Sequence, residues 1–485
     1  MSFFGIRIRA KDCFVILFLS LSFLFTIFAY GQNLFTYMLI ADLISLTLNM
    51  FFCFQKKEER FLLLIFNLTI FLFLLGRPFV ALIRNENWWG VSSIDGMNKA
   101  LLSIQIVLLL LPVGAVIVKK TKGKCNIIEI EEKYGVLEKV KFAAFVIFLL
   151  GLIGATADGL QKISYMAFHS YVEYYVDYSS NLPFILKAFV RMLKPSMCLY
   201  LATFPSKKMS FLVIGGYIIT TVPYMIVGMR SPTLLACLFA LSYFLLREYM
   251  YPNQEKWIGK KEKLCILIAL PCLIAFAYSY NYIRQGKSYT VDKDVFLNFL
   301  YQQGISFQYL AQGFDVLDSL PVKGLPGYML GPSYDNIVYG SAIGRAIFRT
   351  PVISNQSMDA IMIGHDMKQH LSYALMGNSY LLGYGSGANF VLEVIHDLGW
   401  IGLGGYAIFM GSFCVKIVDL FLSPKLIRNT IIIYSLLQLY YIARSDALYF
   451  LEHIVNPYFW ITIIIILLLS RVVKKKTFLF NKSLL

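Results

Sequence analysis

The feature that most constrains this 485-residue chain is a series of apolar segments that recur along its whole length. Segments of about 18 or more apolar residues are long enough to cross a hydrocarbon core of roughly 30 Å. Backbone groups in lipid must hydrogen-bond within their own segment, so such segments fold as helices. Charged residues make up only 15% of the chain, whereas soluble domains have about a quarter. The sequence therefore predicts an all-α integral membrane protein.

Hydropathy predicts about twelve transmembrane helices, with one long outer loop of short amphipathic helices between the ninth and the tenth. The predicted spans are 13–31, 34–54, 61–83, 100–118, 142–157, 184–204, 211–228, 232–250, 264–282, 398–421, 430–443 and 454–470. The domain organisation that follows is 1–282 with nine helices, 283–397 as the periplasmic loop, and 398–485 with three helices and a cytoplasmic tail.

The basic residues indicate which side each loop faces. The formal net charge is +16, and the lysines and arginines cluster in alternate short loops, including seven lysines in 119–141. Cytoplasmic loops of membrane proteins carry this excess. We therefore predict that both termini are cytoplasmic, and we interpret the charge as topology rather than as a nucleic-acid surface. The loop 283–397 has seven basic and nine acidic residues, which is consistent with the outer side.

The predicted loop shows two local patterns. Apolar residues recur at helical spacing from Phe296 to Leu317. Residues 320–336 are rich in proline and glycine and predict turns. Phosphate-binding, dinucleotide-binding, metalloprotease and serine-hydrolase motifs are missing from the sequence. Its eight cysteines form no zinc pattern. The sequence thus predicts no cofactor and no metal site.

Five arginines lie on the predicted outer side, where the topology rule disfavours them. They are Arg230, Arg284, Arg345, Arg349 and Arg444. A guanidinium group is always charged and binds phosphate through two parallel hydrogen bonds. We therefore predict that this set binds the pyrophosphate of a lipid-linked substrate. Two local alternatives stay open: Arg444 pairs with Asp446, or the arginines extend to lipid headgroups.

A charged cluster stands in the stretch "GYGSGANFVLEVIHDLGWIG" (383–402), directly before a predicted span. If 390–402 is helical, Glu393, His396 and Asp397 share one face. A carboxylate or a neutral imidazole at the membrane surface is suited to accept a proton from a sugar hydroxyl. Glu393 and His396 are therefore the candidate catalytic residues. The alternative for Asp397 is a structural cap of span 398–421.

The layout and three short motifs resemble the Wzy-type O-antigen polymerases. Gly385 and Ser386, then Glu393, Gly399 and Gly402, match the polymerase pattern at the end of the long loop. "VGMRSP" (227–232) is similar to a family segment that contains Arg230, and "QGISF" (303–307) is similar to a loop segment. The layout is also related to that of O-antigen ligases and SEDS glycosyltransferases. The His-Asn pair usual in ligases is not matched at "GNSYL" (377–381).

The resemblance implies a GT-C-like glycosyltransferase of the bacterial inner membrane. It would move a growing glycan from undecaprenyl pyrophosphate to the non-reducing end of a lipid-linked repeat unit, with its active site facing the periplasm. Membrane lipids and undecaprenyl-pyrophosphate-linked oligosaccharides are the implied partners, and a chain-length regulator is compatible with them. Two alternatives stay open: an O-antigen ligase, and a non-enzymatic transporter or flippase for the same lipids.

Overall fold

The protein is all-helical apart from a short N-terminal hairpin. The computed structural model describes residues 2–3, 6–7, 9–86, 92–118, 134–169, 173–174, 178–250, 256–264, 294–321, 324, 326–423 and 425–472, with a few single residues between 267 and 278. The hairpin pairs Ser2–Phe3 with Ile6–Arg7 in antiparallel fashion. Arg284 and most of the predicted span 264–282 lie outside the described residues.

The helices that precede the predicted long loop are mostly 19 residues or longer. They are Ala10–Gly31, Phe35–Phe54, Lys57–Ile70 continued by a π-turn Phe71–Leu75 and Gly76–Arg84, Ile94–Ile117, Tyr134–Met166, Phe184–Ala202, Lys207–Ile226 and Ser231–Met250. After the loop come Phe390–Phe421, Leu426–Leu439, Glu452–Val455 and Pro457–Val472, with 3₁₀ turns at Ile442–Arg444 and Tyr449–Leu451.

Within the described residues, eight helices are long and apolar enough to cross a membrane. A ninth is present if Tyr449–Val455 and Pro457–Val472, which meet at a bend of 57°, form one broken span. Leu426–Leu439 is apolar but has only 14 residues, and Phe184–Ala202 carries three cations. These findings confirm the all-α membrane fold, while the count of twelve stays a prediction.

The chain divides into two compact units. The first consists of residues 1–121, 265–419 and 439–449. In this unit the helix Ile94–Ile117 packs closely on Phe390–Phe421. A Cβ atom on Gly114 would clash with the backbone of Ile408, and one on Gly411 would clash with the carbonyl of Leu111. The Ser412 hydroxyl donates a hydrogen bond of 2.8 Å to the Gly114 carbonyl. Small residues thus let the two helices touch through their backbones.

The predicted loop folds as short helices within the first unit. They are Val295–Gln303, Ile305–Val316, Gly331–Asp335, Ala342–Phe348, Met358–Met362, Met367–Met376 and Asn378–Leu381, with a 3₁₀ turn Leu317–Ser319 and a π-turn Asn336–Gly340. The predicted apolar stripe is buried at Leu300, Phe307, Leu310 and Phe314. The side chains of Ser341, Ser357 and Asp366 cap the helices that follow them.

The second unit consists of residues 122–264, 420–438 and 450–485. Its described part is centred on Tyr134–Met166, which packs along Phe184–Ala202. Gly151 and Gly154 lie against the backbone and side chains of Leu193, Leu186 and Val190. The helix Tyr134–Met166 is much longer than the predicted span 142–157. Its C-terminal part carries an ion pair of 2.5 Å between Lys162 and Asp158.

Candidate active site

A capped and broken helix carries the charged cluster of the sequence. The helix begins at Phe390, because the Asn389 side chain accepts hydrogen bonds from the backbone N–H groups of Val391 (3.1 Å) and Leu392 (3.2 Å). Helical structure therefore starts eight residues before the predicted span 398–421. The Asp397 side chain contacts Met329 and His396, so it does not cap this span. Gly399 has φ 69° and ψ −172°, a conformation that is essentially restricted to glycine, and it kinks the helix. The cluster lies on the short segment between the cap and the kink.

Glu393 is completely buried. Its Oε2 atom accepts a hydrogen bond of 2.7 Å from the backbone N–H of Ala447. The carboxyl group of Asp446 acts on it electrostatically. Glu393 Oε1 and Asp446 Oδ1 are both buried without a hydrogen-bond donor in the described part of the chain. A proton held between the two carboxyl groups would satisfy both oxygens. Glu393 thus anchors the segment around residue 447 to the start of its own helix.

Lys368 is the cation of this network. Its Nζ atom lies 2.8 Å from Asp446 Oδ2 and 3.8 Å from Asp366 Oδ2. Burial disfavours the charge on Lys368, but the two carboxylates outweigh burial and raise its pKa well above the usual value. Burial raises the pKa of Asp366 from 3.8 to about 6, although Lys368 acts in the opposite direction. Three carboxyl groups therefore share one ammonium group.

His396 and Asp397 form a second, more exposed pair. Their side chains meet at 3.0 Å between His396 Nδ1 and Asp397 Oδ1. The other oxygen of Asp397 accepts a hydrogen bond of 2.8 Å from the Met329 backbone N–H. The Tyr328 ring packs edge-on against His396, with ring centroids 4.7 Å apart. Asp397 is thus fixed by the loop turn and in turn orients the imidazole.

A cavity of about 410 Å³ adjoins this pair. Its polar lining comes from Lys99, Asp318 and His396, and the rest of the lining is mostly apolar and aromatic. Trp400, directly after the kink, stacks on Phe314 with centroids 5.8 Å apart. Glu393 does not belong to the lining. The kinked segment therefore presents His396 to the cavity and turns Glu393 toward the interior.

The candidate arginines Arg345 and Arg349 differ in their surroundings. Arg345 donates hydrogen bonds of 3.0 and 3.1 Å to the carbonyls of Tyr339 and Gly340. Arg349 is exposed, and its φ of 54° takes it out of the helix that ends at Phe348. Arg345 therefore lies within the helix Ala342–Phe348, whereas Arg349 follows its end.

Arg444 is half-buried, with its guanidinium carbon 6.0 Å from the centre of the Phe73 ring. The alternative pairing of Arg444 with Asp446 is wrong, since the ion-pair partner of Asp446 is Lys368. Arg230 follows the left-handed Gly228 in a tight turn of the second unit. Arg284 is not among the described residues. Convergence of the arginines on one anion stays a prediction.

Sequence reasoning missed Lys368 and Asp366 as members of the site. The sequence contained one indication of this pair. Lys368 is the only lysine or arginine between Arg349 and the end of the predicted loop, and Asp366 stands two residues before it. Asp446 was noticed only as a neighbour of Arg444. The contact between Glu393 and Ala447 joins positions 54 residues apart, and no local pattern reveals it.

The fold and the site define a multi-pass helical membrane protein with a histidine–aspartate pair beside a cavity of mixed polar and aromatic lining, and with a network of buried carboxyl groups that includes Glu393 of the same helix segment. The sequence model of the family described as O-antigen polysaccharide polymerase Wzy matches residues 13–477. The chain therefore belongs to this family of membrane glycosyltransferases, which act on lipid-linked oligosaccharides. Neither the curated proteins nor the solved structures compared with it match the chain.

Proposed function

We propose that this polymerase uses an undecaprenyl-pyrophosphate-linked glycan as donor and transfers it to the non-reducing end of a second lipid-linked repeat unit. The acceptor hydroxyl oxygen attacks the anomeric carbon of the donor. The bond from that carbon to the pyrophosphate oxygen breaks, and its electron pair leaves with undecaprenyl pyrophosphate. The hydroxyl proton goes to a base of the protein. The observation that carries this proposal is the oriented histidine on the wall of the cavity.

His396 is the base in this proposal. Its Nδ1 atom contacts Asp397, so Nε2 is the nitrogen that accepts the proton of the acceptor hydroxyl. The negative charge of Asp397 stabilises the imidazolium ion that results. The aromatic and apolar lining supports sugar binding by stacking, and Lys99 and Asp318 offer polar contacts to hydroxyl groups.

Glu393 supports the reaction by positioning in this account. It is completely buried and binds the backbone of Ala447, which fixes the helix start that carries His396. The proposed pyrophosphate contacts are Arg230, Arg284, Arg345, Arg349 and Arg444, whose charges would stabilise the leaving group. Arg349 is exposed, so its replacement tests this contact without disturbing the protein core.

The remaining features of the proposal concern location. The chain would lie in the bacterial inner membrane with both termini in the cytoplasm and the cavity facing the periplasm. A GT-C-like class, the domain boundaries 1–282, 283–397 and 398–485, and a chain-length regulator as partner belong to the same proposal. The basic clusters of the short loops support this orientation.

The test is a reaction with purified components. The full chain in lipid nanodiscs is mixed with undecaprenyl-pyrophosphate-linked repeat units, and products are separated by size. We expect a ladder of glycans and one released undecaprenyl pyrophosphate for each unit added. A parallel assay with the protein in liposomes measures whether the lipid-linked units cross the membrane. Such transport without any lengthening of the glycan would contradict the polymerase and favour the transporter.

A further inference from the structure

Three cations lie on one face of the helix Phe184–Ala202 in the second unit. Lys187, Arg191 and Lys194 are spaced i, i+4 and i+7, so their side chains share one side of the helix along about 10 Å of its axis. The helix has 19 residues and coincides with the apolar segment 184–204, which the sequence predicts to cross the membrane. Cations inside such a segment are costly unless they meet an anion or water.

The cationic face is accessible. Arg191 and Lys194 are exposed, and Lys187 is half-buried. The helix packs on Gly151 and Gly154 through Leu186, Val190 and Leu193, which lie about a quarter turn around the helix from the cations. The three cations therefore do not serve the contact between these two helices.

Protein groups compensate these charges only in part. Glu452 acts electrostatically on Lys194, and the Arg191 guanidinium carbon lies 4.3 Å from the centre of the Tyr458 ring. A ring contact leaves the N–H groups at the guanidinium edge available for a second ligand. In the described part of the chain, no carboxylate forms a close ion pair with any of the three cations. The face keeps a net positive charge.

We propose that Lys187, Arg191 and Lys194 bind the phosphate group of a membrane lipid. Two ammonium groups and one guanidinium group along a helix match the charge and the hydrogen-bonding capacity of a phosphate monoester, diester or pyrophosphate. The apolar residues of the same helix lie beside the lipid chain. Tyr458 holds Arg191 at one edge of the site.

The inference deepens the proposed function, on which it rests only for the choice of lipid. A polymerase that joins two lipid-linked glycans must hold two lipid phosphates at once, one on the donor and one on the acceptor. The face Lys187, Arg191 and Lys194 supplies a phosphate site that uses none of the five candidate arginines.

Lipid binding by the full chain in detergent tests this site. Undecaprenyl phosphate, phosphatidylglycerol and uncharged undecaprenol are titrated into wild-type protein and into the triple variant Lys187→Gln, Arg191→Gln, Lys194→Gln. We expect the variant to bind both phosphate lipids at least tenfold more weakly, with undecaprenol unchanged. Tighter wild-type binding of undecaprenyl phosphate than of phosphatidylglycerol assigns the site to the polyprenyl lipid, and equal binding assigns it to anionic lipids in general.

A charge-matched control is the triple variant Lys208→Gln, Lys260→Gln, Lys261→Gln, which removes three exposed lysines elsewhere in the same unit. An equal loss of binding in the control, or wild-type affinity in the test variant, overturns the proposal.

Amine labelling of wild-type protein is a second test and needs no variant. Undecaprenyl phosphate should protect Lys187 and Lys194 but not Lys208, and unchanged labelling of Lys187 and Lys194 contradicts the site. If the wild-type protein polymerises glycans but does not bind phosphate lipids through these three residues, the lipid site is rejected and the proposed polymerase function is retained.

Discussion

At the residue scale, Lys368 determines the electrostatics behind the proposed site. It contacts both Asp366 and Asp446, and Asp446 acts in turn on the buried Glu393. Removing a charge from such a network leaves its partners uncompensated, which costs more than the pair itself contributes. The network therefore holds the segment around residue 446 against the helix that carries His396.

Replacing Lys368 with methionine should lower the free energy of unfolding by about 2 kcal/mol, because Asp366 and Asp446 lose their counter-ion while a third of the lysine side chain is open to screening. Thermal unfolding in detergent measures this loss. The matched control is Lys141→Met, which breaks a local pair with Glu138 at 3.3 Å and should cost less than about 1 kcal/mol. Equal shifts for the two variants would show that the Lys368 network has no special weight.

Asp366 gives the protein a pH dependence of known sign. Burial raises its pKa from 3.8 to about 6 in the folded state. Between these values the folded protein binds more protons than the unfolded chain, so stability falls as the pH rises from about 4 to 6, by roughly 3 kcal/mol. The substitution Asp366→Asn should remove this trend while keeping an acceptor for the Lys368 N–H. We expect the difference in Tm, Asp366→Asn minus wild type, to become more positive from pH 4.5 to pH 7. A constant difference would contradict the raised pKa.

At the element scale, the helix Phe390–Phe421 combines a cap, a kink and a close contact. Glycines within an apolar helix, such as Gly399 and Gly402, commonly allow close helix packing. In the structure Gly399 instead breaks the helix with a positive φ, and a Cβ atom added there would meet nothing within 4 Å, while Gly411 makes the close contact. A glycine in an apolar span can either break the helix or allow close packing of a neighbouring helix. The backbone φ angle distinguishes the two roles, and it depends on tertiary structure.

Gly399→Ala should slow polymerisation strongly, because alanine is strained at φ 69° by about 1–3 kcal/mol and straightening the helix would turn His396 away from the cavity. The rate of ladder formation measures the effect, with Tm as a check on folding. Gly405→Ala is the control: it lies on the same helix, also has open space around it, and has no positive φ. Equal rates for the two variants would contradict the claim that the kink at Gly399 orients His396 toward the cavity.

Gly114→Ala should destabilise the first unit by about 1–3 kcal/mol, since the new Cβ would clash with the backbone of Ile408 and force the two helices apart. Gly215→Ala is the matched control, because this glycine is also within a helix but has nothing within 4 Å of the added atom. Alanine there should be neutral or stabilising. Thermal unfolding of the two variants separates helix packing from helix propensity, and similar Tm values would contradict the close contact.

At the scale of the whole molecule, hydropathy predicted most of the membrane helices and the periodicity of 296–317 predicted the loop helices, because both signals are local in the chain. The site was predicted only in part. The spacing of Glu393, His396 and Asp397 in the sequence correctly placed them on one helical segment. It did not reveal that Glu393 turns inward to Ala447 while His396 faces the cavity, because a kink and a contact over 54 positions separate their environments.

The central claim is that His396 accepts the acceptor proton, and the rate of ladder formation by His396→Ala tests it most directly. The control is His365→Ala, which removes a histidine that also pairs with an aspartate, Asp335, at 3.0 Å in the same unit but does not line the cavity. Loss of a general base should slow transfer by about 10²–10⁴-fold at unchanged Tm, with the control near the wild-type rate. A wild-type rate for His396→Ala would contradict the account.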